Sequence, residues 1–135
     1  MKKYEILEHK ADLKIRVFGK TKKELFKNAL LGMTNSLLGR TENEELNPQF
    51  IKIKALDLNS LLIDFLNEVL YLIQINKEIY QKMKFKKFSD TEIQAELLGQ
   101  KIKRLNLEIK AATHHNLNIT QLKNGLWQAT ILFDI

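Results

Sequence analysis

The sequence contains no cysteine, one proline and five glycines in 135 residues. Without cysteine the chain has no disulfide and no thiolate that binds a metal or acts as a nucleophile, so a reducing cytoplasm is the expected compartment. So few glycines leave no glycine-rich phosphate-binding loop, and none of the serines lies in a nucleophile elbow. The sequence therefore carries no recognisable catalytic motif.

An uninterrupted hydrophobic run is also missing. Polar residues break the longest strongly apolar segment, residues 58–75, and a membrane span of that length would tolerate them only at a cost. Residues 1–5 lack the apolar run of a signal peptide. We therefore expect a single domain over residues 1–135, not associated with a membrane, in which a hydrophobic content of 44% fills one core. The interrupting residues are Asn59, Asp64, Asn67 and Glu68.

Positive charge is in excess, with a formal net charge of +6 and a pI near 9.5. Lysines attract phosphate groups before any specific contact forms, so this balance suits a protein that meets RNA, or a partner that carries RNA. Charge alone does not distinguish these two possibilities.

Helix signals occur twice. Thr21 and Glu24 have the spacing of a capping box, and the apolar residues that follow keep helical spacing until Gly39. Pro48 marks a loop that leads into a strand. After this strand, Asp57 offers an N-cap to a second helix with a strongly apolar face. We therefore predict two main helices.

Strand signals fill most of the remaining chain. The pair Asn124-Gly125 predicts a tight hairpin because both residues tolerate a positive φ, and Gly99 is expected to end a strand. Because strands come in hairpins around two separate helices, we predict an α+β fold with a mostly antiparallel sheet. The predicted strands cover residues 4–7, 13–18, 50–55, 84–86, 91–97, 107–113, 117–122 and 126–133.

Acidic residues lie near both ends of the chain. Asp12 falls on the polar side of its strand, and the sequence stops on Phe133-Asp134-Ile135. If the last strand lies beside the first, the side chains of Asp12 and Asp134 and the terminal carboxylate of Ile135 offer hard oxygen ligands to one divalent cation. Spacing alone does not show that the ends meet, and ordinary surface aspartates are the alternative interpretation.

A second set of acids, Asp57, Asp64 and Glu68, recurs along one face of the second predicted helix. This acidic stripe is either a solvated helix face or a set of ligands, and Asp57 also suits the helix N-terminus electrostatically. His114 and His115 are adjacent on a predicted strand and therefore point to opposite faces, which does not favour a shared metal ion.

A lysine-rich run with two phenylalanines, residues 82–88, superficially resembles a strand on which RNA bases stack. Strand alternation places Phe85 opposite Lys84 and Lys86, so we expect Phe85 to face the core and the lysines to face solvent. By the same argument Lys110 points away from the core.

Four landmarks in order give the chain a strong resemblance to the archease family. They are residues 4–12 (YEILEHKAD), residues 19–33 with Gly19-Lys20-Thr21 and Gly32-Met33, the helix of residues 57–71, and residues 108–115 (EIKAATHH) followed by Gly125-Leu126-Trp127 and the terminal Phe133-Asp134-Ile135.

This resemblance implies an archease-like fold and an accessory role. Archeases activate the GTP-dependent tRNA-splicing RNA ligase, a manganese enzyme, by promoting its guanylylation and multiple turnover, and are not ligases themselves. The ligase is the implied partner, and tRNA or RNA is met through it. Asp12, Asp134 and Ile135 correspond to the metal-site positions, where the expected cofactor is a divalent metal, usually calcium, and Lys110 matches a lysine important for activation.

The sequence departs from the family pattern at two positions. Family members commonly have threonine at the position of Lys10 and tyrosine at that of His114. Lys10 competes electrostatically with a cation, so we expect a weaker affinity than in relatives.

Two other functions remain open. One is an RNA-binding or chaperone-like modulator of tRNA-modifying enzymes, which the net charge of +6 supports. The other is a metal-dependent hydrolase that uses Asp12, Asp134 and the acidic stripe, although the sequence shows neither a general base nor a second metal set for it.

Overall fold

A computed structural model describes residues 1–9 and 11–135, without the side chains of Glu8 and His9. Within this part of the chain there are two helices and nine strands. The elements are β1 (Tyr4–His9), β2 (Asp12–Gly19), α1 (Lys22–Leu37), β3 (Leu38–Thr41), β4 (Asn47–Lys54), α2 (Leu58–Asn76), β5 (Glu78–Phe88), β6 (Glu92–Leu105), β7 (Ala111–Thr113), β8 (Thr120–Gln121) and β9 (Trp127–Asp134).

The strands form two antiparallel sheets. The first sheet has the order β1-β2-β9-β7, and β8 also pairs with β9. The second has the order β3-β6-β4, and β5 also pairs with β6. The first sheet brings the two ends of the chain together, because β2 and β9 pair along their whole length. The α+β prediction is confirmed.

Both helices pack into one core shared by the two sheets. The buried face of α1 includes Leu25, Phe26 and Met33, and that of α2 includes Leu61, Phe65 and Val69. The second helix is the one element among the described residues with the length and apolar composition of a membrane span, yet these buried side chains pack inside the protein.

The helix starts follow the predicted caps. Thr21 Oγ1 accepts a hydrogen bond from the Glu24 N–H at 3.1 Å, and the Glu24 carboxylate accepts one from the Lys20 N–H. Asp57 Oδ1 accepts from the Ser60 N–H at 2.8 Å. The contacts from the Glu24 and Ser60 N–H groups satisfy backbone donors that the first helical turn leaves unpaired. Both N-caps are therefore confirmed, but Glu24 accepts from Lys20 instead of from the Thr21 N–H that a capping box requires.

Several predicted boundaries were wrong. The first helix ends at Leu37, two residues before Gly39, and residues 38–41 form a strand, β3, that was not predicted. Pro48 lies inside β4, a strand at the end of its sheet order, where the missing N–H is tolerated. The strand predicted to end at Gly99 continues to Leu105.

Gly99 lies inside β6 because a tyrosine ring covers it. Tyr80 is its partner on β5, and a Cβ on Gly99 would lie 2.6 Å from the Tyr80 Cε1. The Tyr80 hydroxyl donates to Glu78 at 3.1 Å and accepts from Asn76 at 2.8 Å. Burial of this ring raises the pKa of Tyr80 to about 12. The glycine therefore makes room for an aromatic ring and does not end the strand.

We expect Gly99→Ala to destabilise the protein by about 1 to 3 kcal/mol, because the added methyl group overpacks the Tyr80 ring. Urea unfolding measures this change. The double variant Gly99→Ala with Tyr80→Leu should cost less than the sum of its two single changes, since the clash is shared. Unchanged stability of Gly99→Ala would contradict this packing.

The C-terminal region is less regular than predicted. The strand expected over residues 107–113 is limited to β7, and that expected over residues 117–122 is limited to β8. The hairpin turn lies where predicted, but only Gly125, at φ +89°, has a positive φ there. The Leu122 N–H donates to the Leu126 carbonyl at 2.7 Å, and the Gly125 N–H to the Leu122 carbonyl at 2.9 Å. This is a three-residue loop, which places one residue in the left-handed region.

Candidate functional site

The antiparallel pairing of β2 and β9 places Asp12 directly opposite Asp134. Both side chains are exposed, while Leu13 and Phe133, one step along each strand, are buried. Side chains directly opposite each other have Cβ atoms about 5 Å apart, so the two carboxylates share one small region of surface. The structure therefore brings together two acids that are far apart in sequence.

Ile135 follows this pair at the edge of the sheet. Its side chain is half-buried and packs against the core. This packing holds the residue after Asp134 in place, so its main-chain oxygens lie one residue beyond the acidic pair.

Lys110 lies on the other side of Asp134. Its backbone N–H donates to the Asp134 carbonyl at 2.8 Å, and the next residue, Ala111, pairs with Asp134 across β7 and β9. The Lys110 side chain is exposed, as predicted, although Lys110 precedes β7 and Ala112, two positions further on, is buried. The main chain of Lys110 is thus held beside Asp134.

Asn67 holds β7 in position from the second helix. Its side-chain amide donates to the Ala112 carbonyl at 3.1 Å and accepts from the Ala112 N–H at 2.8 Å. An asparagine side chain here takes the place of a neighbouring strand, because it satisfies both backbone groups of one buried residue. The sequence showed Asn67 only as a polar residue in an apolar helix, and its role was missed.

The acidic stripe does not join this site. Asp57 caps α2, and its hydrogen bond from the Ser60 N–H lowers the pKa of the Asp57 carboxyl, with His114 nearby lowering it further. Asp64 is exposed and Glu68 is half-buried. No group of three or more histidine, aspartate or glutamate side chains that suits a metal ion occurs within residues 1–9 and 11–135. Asp57 is thus explained as a cap.

The histidines follow β7 instead of lying on a strand. Both are exposed, the His115 N–H donates to Thr113 Oγ1 at 3.3 Å, and His115 contacts the Asn116 side chain. The expectation that they occupy opposite faces of a strand was therefore wrong. Lys10, which we expect to weaken cation binding, lies outside the described residues.

The donor chemistry at Asp12 and Asp134 fits a calcium-type ion. Two exposed carboxylates directly opposite each other repel, and a divalent cation between them removes this repulsion. Calcium takes six to eight oxygen ligands, some of them water, so the carboxylates of Asp12 and Asp134 would supply only part of such a set.

A groove with a volume of about 890 Å³ begins beside Lys110. The apolar part of its wall includes Leu70, Tyr71 and Leu107, and Tyr71 is 55% exposed. Basic residues outnumber acidic ones along it, with a single acid, Glu108, among the lining residues. The basic lining residues are Lys77, Lys103, Arg104 and Lys110.

The lysine-rich run also folds as its alternation predicted. Phe85 is half-buried and packs edge-on against Phe88 with ring centroids 5.4 Å apart, while Lys84 and Lys86 are exposed. Phe50 was predicted to lie in a strand, but which face of the strand it occupies was not predicted. It lies on β4 and is 58% exposed. Phe50, Lys52 and Lys54 are two residues apart and therefore share one face of the strand, and this spacing was the signal that Phe50 is exposed.

Comparison with known proteins gives consistent matches over the whole chain. The family model described as Archease protein family (MTH1598/TM1083) matches residues 4–135. A protein archease from Methanosarcina barkeri is 35% identical over 142 residues, with 99% of this chain and 97% of the relative covered. One from Pyrococcus abyssi is 29% identical over 143 residues, with both chains covered fully at 100%.

Solved structures show the same fold. The solution structure of Methanobacterium thermoautotrophicum protein 1598 is 28% identical, has a TM-score of 0.73 and is covered over 100% of both chains. A crystal structure from Thermotoga maritima, described as an archease and possible chaperone, has a TM-score of 0.69 at 18% identity, covering 96% of this chain and 94% of that one. With the family model matching from Tyr4 to the last residue, the chain belongs to the archease family.

Proposed function

We propose that this protein is an accessory factor that activates the GTP-dependent tRNA-splicing RNA ligase by promoting its guanylylation and multiple turnover. Membership of the archease family over residues 4–135 supports this role, as does the description of the Thermotoga maritima neighbour as a possible chaperone. The chain contains no cysteine, which fits a factor that works in a reducing cytoplasm.

One observation carries the proposal. The two acids that the family resemblance singles out, Asp12 and Asp134, are partners in adjacent strands, and the backbone N–H of Lys110 donates a hydrogen bond to the Asp134 carbonyl. Three residues that are widely separated in sequence therefore form one surface. Such an arrangement suits joint contact with a partner protein.

Asp12 and Asp134 would hold a divalent cation, most suitably calcium, together with the carboxylate of Ile135. When bound, the ion neutralises the facing carboxylates and links β2 to the residues that follow β9. The protein's own part is to hold these oxygens on two strands of one sheet, with the Ile135 side chain packed against the core.

Lys110 would contact the ligase directly. Its side chain is exposed at the junction of the acidic pair and the groove, and its backbone is held by the hydrogen bond to Asp134. This hydrogen bond fixes the point on the surface from which the side chain projects, which favours a specific contact over a diffuse charge effect. RNA then reaches the complex through the ligase.

Multiple-turnover ligation by a cognate ligase, with and without this protein, tests the proposal. Wild-type protein should convert a single round into many, and Lys110→Ala should lower the stimulated rate by about tenfold or more, the effect of losing one central interface residue. Lys23→Ala, an exposed lysine at the start of α1, is the matched control and should leave stimulation intact. Absence of any stimulation by the wild-type protein would refute the proposal.

A second candidate function, an RNA-binding or chaperone-like modulator of tRNA-modifying enzymes, is favoured by the exposed lysines and Phe50 on the second sheet. Binding of free tRNA distinguishes it from the first. A factor that acts only through the ligase needs no affinity for free RNA, whereas a direct binder loses affinity steeply as salt rises.

A further inference from the structure

The outward face of the second sheet combines lysines with an exposed aromatic ring. We call the outward side chains of β4 and β5 the lysine face. All of its members are exposed, and Phe50 is 58% exposed. The members are Phe50, Lys52, Lys54, Lys82, Lys84 and Lys86.

Strand register places these side chains on one surface. Phe50 and Lys84 both pair with Glu96 of β6, one from each side. The two lysine rows are therefore two strand spacings apart, about 10 Å. The register shifts between Phe85 and Lys87, so β5 has one extra residue, Lys86, that has no partner on β6. Lys86 and Lys87 are therefore both exposed. The result is a shallow basic surface with one aromatic ring.

Two acids of β6, Glu92 and Glu96, lie between the lysine rows and neutralise part of the positive charge. The nearby Lys87 pairs with Glu92 at 2.9 Å, and Gln94 also donates to that carboxylate. Together these hydrogen bonds lower the pKa of Glu92 to about 2. Among the described residues, none of the five lysines of the lysine face forms an ion pair. Glu92 pairs with Lys87 and also attracts Lys54, which leaves Glu96 as the other acid among the five lysines. The face therefore keeps an excess of positive charge.

A flexible cation lies over the ring of Phe50. The Lys86 ammonium lies 4.7 Å from its centroid. A lysine side chain moves easily, and a cation–π contact at an exposed site is weak, so a base can displace it from the ring. The displaced ammonium then has a phosphate within reach as a new partner.

We propose that the lysine face binds single-stranded RNA directly, with a base stacked on Phe50 and the backbone phosphates held by the lysines on either side. Stacking on an exposed ring requires a base that is not already stacked in a duplex, so the face selects single strands. This inference rests on the second candidate function and adds to it a surface and a class of RNA. It goes beyond activation of a ligase and uses none of the residues around Asp134.

Fluorescence anisotropy with a labelled 12-nucleotide oligouridine tests the proposal on the purified full chain, without ligase. If about four phosphates are neutralised, the logarithm of affinity should fall with the logarithm of salt concentration with a slope of about −3. Phe50→Ala should weaken binding by roughly 5- to 100-fold at any one salt concentration, because it removes one stacking contact but no charge.

Matched variants separate stacking from charge. Lys52→Gln and Lys84→Gln should each reduce the slope by about 0.7, and Phe50→Tyr should retain binding. Tyr71→Ala, which removes an exposed aromatic side chain of α2, and Lys123→Gln, in the loop after β8, are the controls and should bind as wild type. Circular dichroism checks that each variant is folded.

Two outcomes would overturn the proposal. One is that Phe50→Ala binds as tightly as wild type and that polyglutamate competes as well as unlabelled oligouridine does. This result would identify a general polyanion surface. The other is tighter binding of a duplex of the same length than of the single strand. Neither outcome bears on ligase activation, which the ligation assay tests separately.

Discussion

Calcium is expected to raise the thermal midpoint of the wild-type protein by on the order of 10 °C at a hundredfold excess over its dissociation constant, and Asp134→Asn is expected to remove this rise. An ion that binds only the folded state stabilises it by about 2.7 kcal/mol under that condition, which sets the size of the shift. The substitution keeps the shape of the side chain but removes one of two carboxylates that face each other across β2 and β9.

The metal-free behaviour of the variant distinguishes a lost ligand from a damaged fold. Asp134→Asn also removes the repulsion between like charges directly opposite each other, so without calcium it should be at least as stable as wild type. Differential scanning calorimetry with calcium and with chelator measures both effects. Asp12→Asn should behave in the same way.

Asp64→Asn is the matched control, because Asp64 is an exposed acid of α2 and lies on neither of the paired strands. It should respond to calcium as wild type does. If Asp64→Asn also lost the response, or if Asp12→Asn and Asp134→Asn kept it, the acidic pair would not be the cation site.

A residue appended after Ile135 tests the third ligand. It moves the terminal carboxylate away from Asp134, so it should reduce the calcium-dependent shift more than an equal addition before Met1. Equal effects of the two additions would exclude the Ile135 carboxylate and leave the two side chains.

Asn67→Ala is expected to destabilise the protein by about 2 to 4 kcal/mol. The change leaves the N–H and the carbonyl of Ala112, a residue only 4% exposed, without their partners on α2. An unsatisfied buried polar group costs about 1 to 3 kcal/mol, and here two are created. Urea unfolding measures the loss in free energy.

Hydrogen exchange shows whether the loss is local. The Ala112 amide should exchange faster in Asn67→Ala, because no other strand protects it on that side of β7. Asn59→Ala, a half-buried asparagine of the same helix, is the control and should cost much less. Wild-type protection of the Ala112 amide in Asn67→Ala would show that the side chain does not anchor β7.

Local structure followed largely from the sequence. Thr21 and Asp57 start their helices because a side-chain oxygen satisfies nearby backbone donors, which depends only on residues a few positions away. Alternation along β2 and β9 likewise separated buried from exposed side chains, because successive strand residues point to opposite faces. Asp12 was therefore correctly placed on the outside, whereas Lys110 is exposed in a segment before β7 that does not form the predicted strand.

Boundaries failed where tertiary contacts override local preference. Gly99 has the properties of a strand terminator, yet the Tyr80 ring packs over it and β6 continues. The residues after α1 carry few strand signals, but β6 is long enough to pair with them as β3. Such effects depend on partners that are distant in sequence, so no local pattern reports them.

The sequence by itself determined the family, the caps, the strand faces and the presence of acids near both ends. Only the tertiary structure decided that Asp12 lies opposite Asp134 and that the main chain of Lys110 lies beside Asp134. It also decided that Asn67 of α2 anchors the short strand β7. The physical reason is that a side chain's face follows from local backbone geometry, whereas its neighbours follow from strand register. That register is set by the packing of the whole core.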